Sequence, residues 1–288
     1  MARGHGPEVG KRRLASELRR LREAAELTIG EVSGHLRCSA SKVSRIETGH
    51  VGVRPQDARS MLRLYGVDGQ ELEELVQLAH DARARGWWHA YSEVFTGSFV
   101  GLEADADSLR AFQALLIPGL LQTRRYANAV ISAMRPNASD AEIKRRVSAR
   151  MRRQRLLTEA SPPSYVAVMD EAVLRREVGG REVMVEQLAR LCDAARLPHI
   201  TLQVVPFGAG AHAGMEGPFL ILGFPDEADA DVVYVDSTTG GVFLEEPEEV
   251  RRYSLMFEHL RACALDHDES VRLISHLAFA VQGGESAM

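Results

Sequence analysis

The chain has 288 residues, 45% apolar and 26% charged, with a net charge of −5. This mixture excludes a globally disordered chain, and the acidic balance excludes a uniformly basic coat for nucleic acid. No apolar run approaches the roughly 18 residues of a membrane span, and the start MARGHGPEVGKRRL lacks a signal-peptide core, so a cytoplasmic protein of about two domains is expected. Three scattered cysteines, Cys38, Cys192 and Cys263, with no CxxC argue against a disulfide framework or a cysteine zinc site. Charge is divided unevenly. Residues 1–65 carry 13 Lys+Arg against 7 Asp+Glu, and the other 223 residues carry 22 against 33. A basic head on an acidic body suggests that only the head meets a polyanion.

Five short helices are predicted in the head. Leu14, Leu18, Leu21 and Ala25 recur at helical spacing. Thr28-x-x-Glu31 is a capping box that opens a second helix with Ile29, Val32 and Leu36 on its apolar side. Ser39 caps a third over Ala40 to Thr48, with Val43 and Ile46 inward and Gly49 as its stop. Pro55 suits the first turn of a fourth, and Asp68, with Glu71 in the box position, caps a fifth.

Two short helices about a tight turn near Arg37-Cys38 have helix-turn-helix geometry, in which the N-terminal part of the second helix reaches base edges in the major groove. Short polar residues at the helix start and basic residues further along meet that demand: Ser39, Ala40, Ser41, Lys42, Ser44 and Arg45. An ordinary bundle with a solvated polar face is the alternative for any one of them.

The string Leu27-Thr28, Glu31-Val32, Leu36-x-Cys38-Ser39-x-Ser41-x-Val43-Ser44-Arg45-Ile46-Glu47-x-Gly49 resembles the xenobiotic-response-element (Cro/repressor-like) family over about residues 11–80. The resemblance implies base reading by Ser39, Ala40, Ser41 and Arg45 and phosphate contacts from Thr28, Ile29 and Arg54; the polar and basic pattern of the helix adds Ser44 to the base readers and Lys42 to the phosphate contacts. It also implies a structural ion pair between Arg22 and Glu47. Ile29 stands where the family often has Gln, and Arg37 where it often has Gly, which implies a left-handed Arg37.

A mixed α+β domain is predicted to follow this all-α five-helix domain. Residues 106–116 and 123–134 have helical or mixed patterning, and Asp140 to Thr158 reads as one long helix capped by Ser139. Tyr165 to Met169, Ile200 to Pro206, Phe219 to Phe224, Asp231 to Val235 and Gly241 to Leu244 read as strands. Arg181 to Ala195, Pro247 to Ala264 and a segment from Asp268 read as helices, an order that favours α+β over a doubly wound sheet. The expected division is a flexible stretch over 1–10, a helix-turn-helix domain over 11–82, a junction at 83–86, an α+β domain over 87–282 and a tail over 283–288.

Chemistry-bearing motifs are sparse in the body. Gly208-Ala-Gly210-Ala-His212-Ala-Gly214 misses the dinucleotide spacing and precedes a strand, so it reads as a loop. Asp170-Glu171 reads as a helix cap in the absence of a second acidic pair. No zinc-protease, hydrolase or phosphate-loop signature appears, so no catalytic residue, metal or cofactor is assigned. The run from Lys144 to Arg155 is either a solvated, internally paired face or a docking face for an acidic partner or nucleotide phosphates.

The stretches Trp87-Trp88-x-x-Tyr91, Gly101-Leu-Glu103, Ile117-Pro-Gly-Leu-Leu-Gln-Thr123 with Tyr126-Ala127, Arg150-x-x-Arg153-Gln154, Asp170-Glu171-x-x-Leu174 and Thr201-Leu-Gln-Val-Val-Pro-Phe207 with Gly210-Ala-His212 resemble actinobacterial antitoxin-like (WhiJ-like) transcriptional regulators. The resemblance implies a non-enzymatic regulator that binds a double-stranded operator, forms a homodimer and answers to a small protein partner encoded nearby, or to a ligand. Trp87, Trp88, Arg150, Arg153 and His212 are the candidate docking residues. An antitoxin that neutralises its partner directly is the alternative, and an enzyme with a DNA-targeting head is a third.

Overall fold

The computed structural model describes residues 6–83, 86–91, 93–95, 98–226, 229–237 and 240–283. The chain divides into two compact units, Met1–Ser92 with Gly97–Asp105 and Glu93–Thr96 with Ala106–Met288. The dividing point therefore differs from the expected junction at 83–86, of which Ala84 and Arg85 lie outside the described residues. Both tryptophans fall in the first unit.

The first unit is all-α. It comprises α1 (Pro7–Ala24), α2 (Ile29–His35), α3 (Ala40–Glu47), α4 (Pro55–Leu64), α5 (Gly69–Asp81), a 3-10 turn over Trp87–Tyr91 and α6 (Phe99–Asp105). Leu14, Leu18, Val32, Val43, Ile46, Met61, Leu62, Leu72 and Val76 form its core. Side-chain hydroxyls of Thr28 and Ser39 accept the amides of Glu31 and Lys42, so α2 and α3 start where those caps stand. Asp68 occupies the N-cap position of α5, but its side chain makes no capping bond.

Helix α1 begins four residues before the expected ordered region, so residues 7–10 are helical rather than flexible; residues 1–5 lie outside the described set. The reason is distant in sequence. Asp105, at the end of α6, accepts the Glu8 and Val9 amides at 2.9 and 3.1 Å, satisfying orphan donors at the start of α1. Close approach requires glycine at 101, where a Cβ would stand 2.2 Å from the Glu8 side chain.

The second unit is a six-stranded mixed sheet with helices. Its strands are β1 (Ser108–Gln113), β2 (Ser164–Asp170), β3 (Ile200–Val205), β4 (Phe219–Gly223), β5 (Val232–Val235) and β6 (Val242–Leu244), in the order β3-β2-β1-β4-β5-β6. The first three strands run parallel, joined by helical crossovers; β4, β5 and β6 are antiparallel. An all-α helix-turn-helix unit followed by an α+β unit is thus the architecture. The helices are α7 (Arg124–Met134), α8 (Asp140–Arg153), α9 (Glu171–Arg175), α10 (Arg181–Ala195), α11 (Pro247–Cys263) and α12 (His267–Gly283). The expected helix to Thr158 ends as an α-helix at Arg153 and continues as a 3-10 turn.

On one sheet face Phe112, Val168, Phe219, Ile221 and Val233 pack on Phe257 and Leu260 of α11. The outer edge of β3 is occupied rather than left open. His267 Nδ1 accepts the Leu202 amide at 3.2 Å, Ser270 Oγ accepts the Val204 amide at 2.9 Å, and the Leu265 amide donates to Val204 O. Those bonds occupy two amides and a carbonyl through which an edge strand would recruit another chain. Among the described residues, no helix is long and apolar enough to cross a membrane.

Candidate nucleic-acid interface

In α3, Val43, Ile46 and Glu47 turn inward, which leaves Ser41 and Arg45 exposed on the opposite face, Ser44 half-buried at its flank and Ala40 exposed in the first turn. Arg45 and Arg54 make no ion pair or hydrogen bond through their side chains among the described residues, so both guanidiniums face solvent uncommitted. Ser39 is exposed, but its hydroxyl oxygen already accepts the Lys42 amide at 3.2 Å. Thr28 is tied into its capping box with Glu31. Ile29 packs its side chain against the core, so only its backbone could meet a phosphate. Lys42 sits 3.1 Å from Asp57 of α4, a partner that its spacing in the sequence does not reveal. A phosphate contact from Lys42 requires that pair to open.

The turn before α3 is tight because Arg37 takes φ 51°. Glu26, before α2, is also left-handed, at φ 55°. Arg22 holds the second of these turns. Its Nε donates to Glu47 Oε1 and Oε2 at 2.9 and 3.0 Å, and its Nη1 donates to Leu27 O at 2.9 Å. Side-chain exposures of 11% and 3% place this pair inside the unit, linking α1 to the helix that carries Arg45. The hydrogen bond it donates to the Glu47 carboxylate holds the Arg22 guanidinium above its ordinary range.

The five candidate docking residues are divided between the two units. Trp87 and Trp88 meet edge-to-face at 6.2 Å in the first unit, with Trp88 folded over Gly86 and against Gly101. In the second unit, Arg150 Nη1 donates to Gln122 Oε1 at 2.7 Å, and the Arg153 guanidinium lies beside Gly119. Burial pushes Arg150 down to about 10, with the Arg153 charge acting in the same direction.

Three glutamines complete this arrangement: Gln122 and Gln154, from the stretches that carry the resemblance, and Gln187, which the sequence did not single out. Gln122 Nε2 donates to Ile117 O, and Gln154 Nε2 donates to Gly119 O and Gln122 O. Fully buried Gln187 donates to Leu121 O at 2.9 Å and accepts the Thr123 amide at 2.7 Å. These side chains pair backbone groups of residues 117–123 that the 3-10 turn over Gly119–Leu121 leaves unpaired.

His212 has different neighbours. Its Nδ1 accepts the Gly214 amide at 3.2 Å, which leaves the proton on Nε2, 3.2 Å from Asp170 Oδ2. Asp170 Oδ1 caps α9 through the Ala172 amide, and Glu171 bonds Arg175 and the Phe207 amide. Both ring nitrogens of His212 are engaged, so neither offers a free lone pair to a substrate proton. The glycine-rich stretch forms two 3-10 turns between β3 and β4, as a loop. Among the described residues, no group of three or more His, Cys, Asp or Glu side chains could hold a metal ion.

A capped helix pair with a polar, basic recognition face defines the first unit as a helix-turn-helix domain. Residues 13–75 match a helix-turn-helix domain family. Residues 96–276 match a family described as "Domain of unknown function (DUF5753)", and the chain belongs to that family. No curated protein and no solved structure matches the chain.

Proposed function

We propose that this protein is a sequence-specific transcriptional regulator of the cytoplasm. Its first unit binds an operator through α3, and its second unit self-associates and senses a small partner protein or ligand. The observation that carries the reading is the exposed face of α3, with Ser41 and Ser44 beside an uncommitted Arg45, on a helix anchored from behind by the Arg22–Glu47 pair. Arg is the side chain best suited to a bidentate guanine contact. Arg54 supplies a sequence-independent phosphate contact at the start of α4.

A single recognition helix covers one half-site, and paired half-sites lie about 34 Å apart. The second unit is the part large enough to hold two heads at that spacing. Exposed Leu115, Phe207 and Met215, which follow β1, follow β3 and precede β4, lie at one end of the sheet and support association there. The same end supports a second reading, an antitoxin that neutralises its partner by direct binding. The test is operator selection from random duplexes with the full chain, followed by Arg45→Ala on the enriched sequence. Failure to enrich any sequence overturns the reading.

A further inference from the structure

Between α7, α8 and the start of α10, the second unit contains a cleft of about 600 Å³. That volume falls within the range of small-molecule sites. Val147 and Val183, both buried, provide an apolar floor. The wall formed by residue 179 stands close to α7 because it is glycine at φ 75°; a Cβ there would come 2.9 Å from the Ala129 side chain.

The rim is cationic. Arg125 is committed, at 3.1 Å from Glu182 and 3.5 Å from Glu186. Arg124 and Lys144 also line the cleft, and neither makes a side-chain hydrogen bond or ion pair among the described residues. Asn128 and Ser148 place two further uncommitted polar side chains on the same rim. Among the described residues, no acidic side chain lines the cleft. An apolar floor below two unpaired cations selects a molecule with an apolar body and an anionic end. The body removes Val147 and Val183 from water, and the anion takes charge-assisted hydrogen bonds from Arg124 and Lys144.

We propose that this cleft binds a small anionic amphiphile, an apolar body carrying a carboxylate, sulfonate or phosphate. The ligand-sensing part of the proposed function would act through it. Residues 144, 147 and 148 share one face of α8; Arg153 lies on the opposite side of the helix, and Arg150 lies at the edge of that face, where it is engaged by Gln122.

The test uses the full chain without DNA. 1-Anilinonaphthalene-8-sulfonate is titrated by fluorescence and then displaced with decanoate, decyl phosphate, decanol or inorganic phosphate. Saturable binding is expected, with about a hundredfold weaker binding to Arg124→Gln/Lys144→Gln, the loss of two charge-assisted contacts at about tenfold each. Asn128→Trp, which fills the cleft from an exposed position and keeps the charge, is expected to weaken binding similarly. Arg251→Gln/Arg252→Gln removes two exposed cations elsewhere and is expected to bind as wild type does. Decanoate and decyl phosphate should both displace the dye, separating carboxylate from phosphate ligands by their relative strength. Equal binding by the double cleft variant and the control pair, or displacement by decanol as strong as by decanoate, overturns the proposal. So does displacement by inorganic phosphate as strong as by decyl phosphate. Operator affinity is measured separately, so loss of the dye site leaves the DNA-binding reading standing.

Discussion

Replacing Asp105 by Asn should remove a pH dependence from the stability of the first unit. The Asp105 carboxylate caps the start of α1, yet burial raises it from its ordinary 3.8 to about 6, outweighing the two amide bonds that favour the charged form. Between those values the native state holds a proton that the unfolded chain has released. The resulting stability is fully present below pH 3.8 and is lost as pH rises through about 6. The interval corresponds to roughly 3 kcal/mol. Asn retains an oxygen that can accept the Glu8 and Val9 amides and does not titrate. Urea unfolding of the full chain, followed by tryptophan fluorescence, reports on this unit because Trp87 and Trp88 are the chain's two tryptophans and both belong to it. The two proteins should be about equally stable at pH 4, with Asp105→Asn the more stable at pH 7. Other titrating groups are common to both and cancel in the difference. A difference that stays constant from pH 4 to 7 would refute the buried-carboxylate argument.

Arg22→Ala should lower the same transition by about 3–5 kcal/mol, the range for breaking one side of a buried pair; an unchanged urea midpoint would remove the structural role assigned to it. Arg45→Ala should lose about 1–3 kcal/mol of operator affinity and relax preference at one base pair, whereas Arg54→Ala should weaken all duplexes and flatten the salt dependence. Matched and mismatched duplexes titrated at several salt concentrations separate the two, and indistinguishable profiles would sink the division of roles. Gln187→Leu should destabilise the second unit by about 1–3 kcal/mol for each backbone group left unpaired, at Thr123 and at Leu121. Circular dichroism during thermal unfolding reads that loss, and a wild-type melt would show that water replaces the amide without penalty.

The head was legible because its signals are local. Thr28, Ser39 and Pro55 stand at helix starts, and the apolar residues between them keep one period. The anchoring of α1 was not legible, since its cap comes from Asp105, 96 or 97 residues away. Residues 106–116 looked helical or mixed because Ala, Leu, Arg and Gln are good helix formers. Their position between parallel β2 and antiparallel β4 overrides that preference and makes β1 a central strand. Lys42 looked available for phosphate because Asp57, its partner, lies on another helix.

The stretches that carry the body's resemblance were distinctive in sequence without indicating a reaction, and their geometry explains why. Ile117 to Thr123 and Arg150 to Gln154 meet in space, where Gln122, Gln154 and Arg150 bind one another and the loop backbone. A segment whose one 3-10 turn pairs only part of its backbone must have its remaining carbonyls and amides satisfied by side chains, and only particular side chains at particular positions can do so. Such a loop restricts which side chains can stand at those positions. The cleft between α7, α8 and α10 has the opposite character. Its Arg124, Asn128, Lys144 and Ser148 are ordinary surface residues in sequence, and they become a candidate site only when the fold sets them around an apolar floor with no bonds of their own. In this unit, then, the distinctive residues hold the frame, and ligand recognition is sought among the inconspicuous ones.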